Sequence, residues 1–312
     1  STHVQPLSID LNGVAVHEIP PNGQGIVALM ALQYMQRVQW PDGVPPAHNS
    51  PQYINALVQA LRLAFADGRA HVSDEASAQV SPQQLLSEEY AAKRASEIHP
   101  GQQMPIPEGG WPIASSDTVS FQTVDSQGNA VSFINSNYMG FGTGIVPPGA
   151  GFTLQNRGAG FSLEAGHPNA VAPRKRPYHT IIPGMATQGS KLFATFSVMG
   201  GFMQPQGHAQ VISNMVSFDM DAQSALDAPR VCLPAGTAHS AVAVEDGIAL
   251  EGLRELLPEA HLVTSWQRSV FGRGQIIRRL PNGVLEGGSD GRGDGCAAGC
   301  APGAISPKAA DN

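Results

Sequence analysis

Several things are scarce in this chain, and each scarcity removes a class of protein. Only 14% of its 312 residues are charged, and the balance is acidic, with a formal net charge of -7. Such a chain presents no basic field to nucleic acid or acidic lipid, while small neutral or cationic partners stay open. No apolar run approaches the ~20 residues needed to cross a bilayer, so no membrane partner is expected. Cysteine is limited to Cys232, Cys296 and Cys300. An odd number without regular spacing argues against a disulfide framework and leaves open only a single Cys296–Cys300 bridge. Cys-x-x-x-Cys with no second pair and no nearby histidine is a poor metal signal, so neither metal nor cofactor is expected. The opening Ser1-Thr-His-Val-Gln-Pro6 has no charged segment followed by an apolar core, and is not a signal peptide. Either the protein is cytosolic, which is slightly favoured, or its true beginning is missing.

Glycine (35) and proline (25) are plentiful, and 42% of residues are hydrophobic. That composition suits a loop-rich protein of sheets and helices with a sizeable core rather than a helical bundle. Val14 to Ile19 alternates as a strand does, Pro20-Pro-Asn-Gly-Gln-Gly25 reads as a turn, and Leu29, Leu32 and Met35 give helical spacing within 26–38. Ser50-Pro51 and Ser81-Pro82 are helix starts with proline at the first helical position. The first leads an apolar stripe (Ile54, Leu57, Leu61, Phe65) to about Asp67, and the second a helix through Leu85, Tyr90 and Ile98. Core packing explains these stripes.

Periodicity is lost from Pro100 to Ser116, among Pro105, Pro107, Gly109, Gly110 and Pro112, as in an exposed linker. At Asp117-Thr118 the pattern changes abruptly. Residues 118–124 alternate, Asp125-Ser-Gln-Gly-Asn129 is a hairpin-type turn, and Ala130 to Ile134 is apolar. A linker running straight into a strand hairpin can be cut without unfolding either side. Further strands are predicted at 192–198, 241–244 and 274–280, the last closed by Pro281-Asn-Gly283, with a helix from about His208 to Phe218. The tail after Cys300 reads as frayed.

The segment from Asp117 to Ala130 resembles the start of the small subunit of the gamma-glutamyltransferase family, in which a Thr heads a strand hairpin. Phe141-Gly-Thr-Gly144, Gly200-Gly201, Ala228-Pro-Arg230 and Ser289-Asp290-x-Arg292 with Asp294-Gly295 are similar to further family motifs, in order. Before Thr118, Pro20-Pro-Asn-Gly-Gln-Gly25 and Phe65-Ala-Asp67 resemble the end of the large subunit. The resemblance implies an α+β fold, the four-layer αββα sandwich of N-terminal-nucleophile hydrolases, here incomplete because the first half of the large subunit is missing. It implies self-cleavage between Asp117 and Thr118, which divides the chain into 1–117, the end of the large subunit with its linker, and 118–312, the small subunit, the two staying paired. Thr118 is then the nucleophile on a small-molecule amide, supported by Ser136, with Gly200 and Gly201 as oxyanion hole. The chemistry is sound on its own terms. A Thr hydroxyl needs a base, and the α-amine freed by cleavage, of ordinary pKa about 7.7–8.0, can be that base. Glycines let backbone N–H groups approach an oxyanion closely.

The substrate pocket departs from the glutathione-cleaving pattern. Gly160 stands where an Asp would bind the α-amino group, His179-Thr180 replace a Ser-Ser pair, and Tyr138 replaces an Asn. With Arg157 on the same loop, these are the expected substrate-binding residues. They resemble a divergent branch containing YwrD-like proteins, oxamate amidohydrolase and some cephalosporin acylases. If an Asp introduced at 160 raises activity on gamma-glutamyl substrates, the family's amino-group anchor belongs at that position. Two competing readings exist: a catalytically silent fragment acting as binder or scaffold, and an adhesion signal at Arg292-Gly-Asp294, a three-residue match. His179 and His208 have no Gly-x-Ser-x-Gly elbow beside them, and read as pocket or packing residues.

Overall fold

Asn12 and Gly13 both take positive φ, 53° and 84°, the geometry of the tight turns that match strand twist in a hairpin. They join β1 (Leu7–Leu11) to β2 (Val14–Glu18) at the edge of the main sheet in a computed structural model describing residues 2–104, 116–263 and 265–299. The chain continues through α1 (Gly25–Gln36), α2 (Pro51–His71), α3 (Pro82–Leu85) and α4 (Glu88–Ala95). Ser50 and Ser81 cap α2 and α3 as their Ser-Pro signals predict. The helix expected from Pro82 to Ile98 is two helices instead, because Ser87 takes the Tyr90 N–H and starts a new one. Most of the linker expected at 100–116 and the tail after Cys300, with Cys300 itself, lie outside the described residues.

After the linker come the hairpin β3 (Ser116–Val124) and β4 (Ala130–Met139), then β5 (Gly184–Gln188), β6 (Lys191–Met199), α5 (Met203–Ser217) and α6 (Ala222–Asp227). β7 (Val231–Cys232), β8 (Ala243–Val244) and β9 (His261–Leu262) form a small sheet, with α7 (Leu250–Leu256) between β8 and β9 in the chain, and β10 (Arg273–Arg279) and β11 (Leu285–Ser289) complete the main one. That main sheet has the order β1-β2-β5-β6-β10-β11, every pair antiparallel. It draws two strands from before Asp117 and four from after it.

β6 shows how the layers are built. Its Ala194, Phe196 and Val198 belong to the main apolar core, shared with α1, α2 and α5. Its Thr195 and Ser197 are also buried, but face the β3–β4 hairpin. There Gln122 donates to Ser197 Oγ (2.8 Å) and accepts from Thr195 Oγ1 (2.7 Å), and Ser132 donates to Phe196 O (3.0 Å). Helices thus cover one face of the sheet and the hairpin lies on the other. The hairpin's outer face carries exposed Val119, Phe121, Val131 and Phe133, the two Phe rings stacked at 4.7 Å. Among the described residues no helix covers it, so three of the sandwich's four layers are present.

The Arg292-Gly-Asp294 motif is structural. The Arg292 side chain is buried and pairs with Glu245 (2.5 Å) and Asp290 (3.0 Å), while Asp290 also pairs with Arg230 (2.8 Å) and accepts the Gly274 N–H (2.8 Å). A guanidinium so enclosed cannot be presented to a receptor. Among the described residues no helix is long and apolar enough to cross a membrane, and no cluster of His, Cys, Asp or Glu is suited to a metal ion.

Candidate active site

The β3–β4 ladder slips at Thr118. Asp117 pairs with Tyr138 but Thr118 pairs with Ser136, which leaves Asn137 as a bulge opposite the Asp117–Thr118 bond. Bulges re-aim side chains and recur beside active sites. Here the following loop holds the bulge in place: Asn137 donates to Thr153 Oγ1 (2.8 Å), Asn156 N donates to Asn137 O (3.2 Å), and Asn156 Oδ1 accepts the Met139 N–H (3.2 Å). Thr118 is buried, and its hydroxyl donates to Ser136 Oγ at 3.0 Å. Ser136 Oγ accepts the Tyr138 N–H as well (2.9 Å), using both of its acceptor positions.

Gly200 and Gly201 form the turn from β6 into α5, with φ of 135° and 61°. Glycine is required at the first by conformation and by space, since a Cβ on Gly200 would lie 3.2 Å from both Gly272 Cα and Met203 Cβ. The turn is held from two sides. Gln24 donates one amide to both Gly201 O (2.9 Å) and Thr180 O (2.7 Å), and accepts from Tyr178 OH (3.1 Å). Two residues before Gly200, Val198 lies beyond the last β5 pairing, and its N–H donates to His208 Nε2 (3.1 Å). Because Nε2 accepts, the ring proton is on Nδ1, donated to Glu18 Oε1 (2.6 Å). Burial pushes the Glu18 carboxyl up, opposed by His208. His208 is therefore a packing residue that supports the glycine turn.

The expected substrate residues meet beside Thr180. Arg157 donates through Nη1 to Thr180 Oγ1, and its guanidinium lies 4.4 Å from the centre of the Tyr138 ring. Burial pushes Arg157 down to about 10. His179 is pushed down to about 4, first by burial and then by Arg157, and its Nδ1 accepts the Ile181 N–H at 3.3 Å. It is neutral near pH 7. A continuous series of contacts thus runs Thr118, Ser136, Tyr138, Arg157, Thr180, Gln24, Gly201.

Gly160 is packed too closely to carry a side chain. A Cβ there would lie 2.7 Å from the Tyr178 carbonyl oxygen, which is backbone and cannot yield. The short turn Arg157–Gly160 lies directly against the Tyr178–Thr180 segment. An Asp at 160 would push these apart rather than offer a carboxylate to a substrate. Gln24 is the residue that sequence reasoning missed. Pro20-Pro-Asn-Gly-Gln-Gly25 was readable as a turn, but the reach of one side chain to 180 and 201 is a property of the folded sheet.

Residues 1–300 match the gamma-glutamyltranspeptidase family. The glutathione hydrolase-like YwrD proenzyme of Bacillus subtilis is 35% identical over 289 residues, covering 91% of this chain and 54% of its own length. The oxamate amidohydrolase proenzyme of Klebsiella pneumoniae is 34% identical over 294 residues, covering 91% and 53%. Among solved structures, cephalosporin acylase from Bacillus halodurans superposes with a TM-score of 0.83 at 45% identity, over 95% of this chain and 53% of that one. The chain spans about half the length of the relatives it matches.

Proposed function

Because this chain belongs to the gamma-glutamyltranspeptidase family, we propose that it is the catalytic part of a self-processed amide hydrolase with Thr118 as nucleophile. One observation carries the reading. The Thr118 hydroxyl lies on Ser136 at the point where the strand ladder slips, and the bulge falls opposite the bond to be cut. In the uncut chain Thr118 has a peptide nitrogen, which is no base. Cleavage after Asp117 turns it into an α-amine of ordinary pKa about 7.7–8.0, which can take the hydroxyl proton. The YwrD and oxamate amidohydrolase relatives are both proenzymes, in keeping with such a cut.

In the reaction, Thr118 Oγ adds to the amide carbonyl as its proton passes to the α-amine. The resulting oxyanion faces the Gly200-Gly201 turn at the start of α5, where backbone N–H groups and the helix terminus favour negative charge. Collapse breaks the C–N bond, the amine leaves with the proton, and an ester remains on Thr118. Water, deprotonated by the same α-amine, cleaves that ester and restores the hydroxyl. Ser136 orients the hydroxyl, and Tyr138, Arg157, His179 and Thr180 line the acyl side.

On this reading residues 1–117 end the large subunit and 118–312 form the small one. They stay together because β2 pairs with β5 across the cut and Gln24 holds segments on its far side. The test is mass spectrometry of the complete gene product, quenched during turnover of a slow amide. A fragment beginning at Thr118 and carrying the acyl mass is expected. An uncut but active protein, or acylation at another residue, would remove Thr118 from the mechanism.

A further inference from the structure

We propose that Arg69 is a positioning residue for the amide-cleaving site. It lies in the last turn of α2, before the cut, and its guanidinium fixes the Gly200-Gly201 turn and the Tyr178–Thr180 segment, both after the cut. The proposal rests on the amide-hydrolase reading above and adds to it a residue that acts through its neighbours.

A basic side chain in a last helical turn is ordinarily explained by the negative end of its own helix. Arg69 instead donates to another segment, through Nε to Gly236 O and through Nη2 to Ala235 O, both at 3.2 Å. At the same time its guanidinium carbon lies 4.2 Å from the centre of the Phe202 ring and 5.3 Å from that of Tyr178. A planar guanidinium can do both, donating along its edge while its face lies on an aromatic ring.

Each contact ends on a wall of the site. Phe202 follows Gly201 directly and stands at the N-cap of α5. Gly236 presses on it from another side, since a Cβ on Gly236 would lie 2.5 Å from Phe202 Cβ and Cγ. Arg69 and Gly236 thus grip the residue next to the turn proposed to face the oxyanion. Tyr178 takes the second contact, and its hydroxyl donates to Gln24, whose amide holds Thr180 O and Gly201 O. The main chain of Arg69 makes a third. Because His167 Nδ1 accepts the Asn169 N–H (2.9 Å), its Nε2 carries the proton and donates to Arg69 O (3.1 Å). Asn169 then donates to Gly160 O (2.7 Å) and accepts the Tyr178 N–H (3.0 Å). One residue of α2 therefore reaches the 157–160 turn, the 178–180 segment and the 200–202 turn. Without the guanidinium, Phe202 can tilt and carry the glycine turn with it, and a misplacement of about 1 Å can cost about a hundredfold in rate.

The test measures kcat and KM of the processed, complete gene product on glutaryl-p-nitroanilide. Arg69→Met keeps the length of the stem without the donors or the charge. Its kcat is expected to fall about tenfold, with KM changed less than threefold, and Arg69→Lys to recover part of the loss. The same substitution is then made in Gly201→Ala. Residues that act through one turn are not additive, so the further loss there should be less than threefold, whereas general destabilisation would lower both backgrounds alike. An equal fall in the two backgrounds, or unchanged kcat in folded Arg69→Met, overturns the assignment. Hydrogen exchange reads the same grip without turnover, because the Met203 and Gln204 N–H groups close the turn onto Gly200 O (3.0 Å) and Gly201 O (3.2 Å). In a Thr118→Ala background, Arg69→Met should speed exchange at 203 and 204 at least tenfold and leave α4 unchanged. Unchanged exchange at these positions, or equal acceleration in α4, overturns the proposal. If wild type cleaves no amide, the hydrolase reading is what fails, and the exchange measurement decides alone. Should Arg69→Met fail to fold, Phe202→Leu, which removes the ring under the guanidinium, takes its place in both measurements.

Discussion

Thr118 and Ser136 face each other at 3.0 Å, hydroxyl to hydroxyl, at the point where the β3–β4 ladder changes register. The contact orders the Thr118 side chain before any cut is made, and so should speed self-cleavage as well as catalysis. We expect the complete gene product to yield a fragment beginning at Thr118, and Thr118→Ala to remain one uncut, inactive species. Ser136→Ala should slow maturation about five- to tenfold, the scale of one hydrogen bond of ~1 kcal/mol. Intact-mass measurements over time check both. Maturation of Ser136→Ala at the wild-type rate would leave the serine without a part in it.

The two products should not separate. β1 and β2 belong to the same sheet as β5, and an edge stripped of its neighbour would expose a row of backbone donors and acceptors. Gel filtration of matured protein is expected to give one peak containing both fragments, resolved only by denaturant. Free fragments in native buffer would contradict a boundary at Asp117.

Local chemistry was legible in the sequence and long-range placement was not. Ser50-Pro51 and Ser81-Pro82 mark α2 and α3 because capping and proline act within one turn. The Asp125–Asn129 turn marks the β3–β4 hairpin for the same reason. β1 went unread, and β5 went unread because a short strand buried between β2 and β6 has little pattern of its own. α5 begins at Met203, five residues before the start expected at His208, since Pro205 is tolerated in a first turn. Of the site, Thr118, Ser136, Gly200 and Gly201 were nameable by resemblance. The unpartnered edge of Arg157 and the reach of Gln24 exist only once residues 24, 138, 157, 180 and 201 have been brought together.

Gly201 has φ 61°, a left-handed conformation that costs a residue with a Cβ roughly 1–2 kcal/mol. Its carbonyl is held by Gln24, and its peptide belongs to the turn proposed above to face the nascent oxyanion. Gly201→Ala should lower kcat about a hundredfold or more, the scale of a lost oxyanion donor, with a smaller change in KM. Gln24→Ala should act in the same direction by loosening the turn. Unchanged kcat in folded Gly201→Ala would exclude this turn from the mechanism.

His179 gives a pH signature. Its folded pKa of about 4 lies below the ordinary 6.5, so between those values the unfolded chain binds a proton that the folded protein does not. Stability should therefore fall as pH drops from about 6.5 towards 4, with a slope of at most ~1.4 kcal/mol per pH unit from this one group. His179→Asn retains an acceptor for the Ile181 N–H but no titrating ring. Urea unfolding at pH 7 and pH 5 should show a smaller loss for the variant than for wild type. An equal loss would mean that His179 is not held neutral by its surroundings.

The last expectation separates this protein from one that cleaves glutathione. A gamma-glutamyl group differs from a glutaryl group by one α-ammonium, and a buried ammonium needs an anion beside it. The side of the site proposed to hold the acyl group instead contains a cation, Arg157, with no acid paired to it among the described residues. Gly160, where the family's aspartate would stand, is closed to any side chain by the Tyr178 carbonyl. We expect kcat/KM for glutaryl-p-nitroanilide to exceed that for gamma-glutamyl-p-nitroanilide at least tenfold. Gly160→Asp should lower the melting temperature and both activities rather than raise the gamma-glutamyl rate, because its Cβ displaces the segment that holds Thr180. If the gamma-glutamyl amide proves the better substrate, an acid elsewhere in the complete protein must reach the pocket. If Gly160→Asp gains gamma-glutamyl activity, the Tyr178–Thr180 segment can move aside and the packing argument fails.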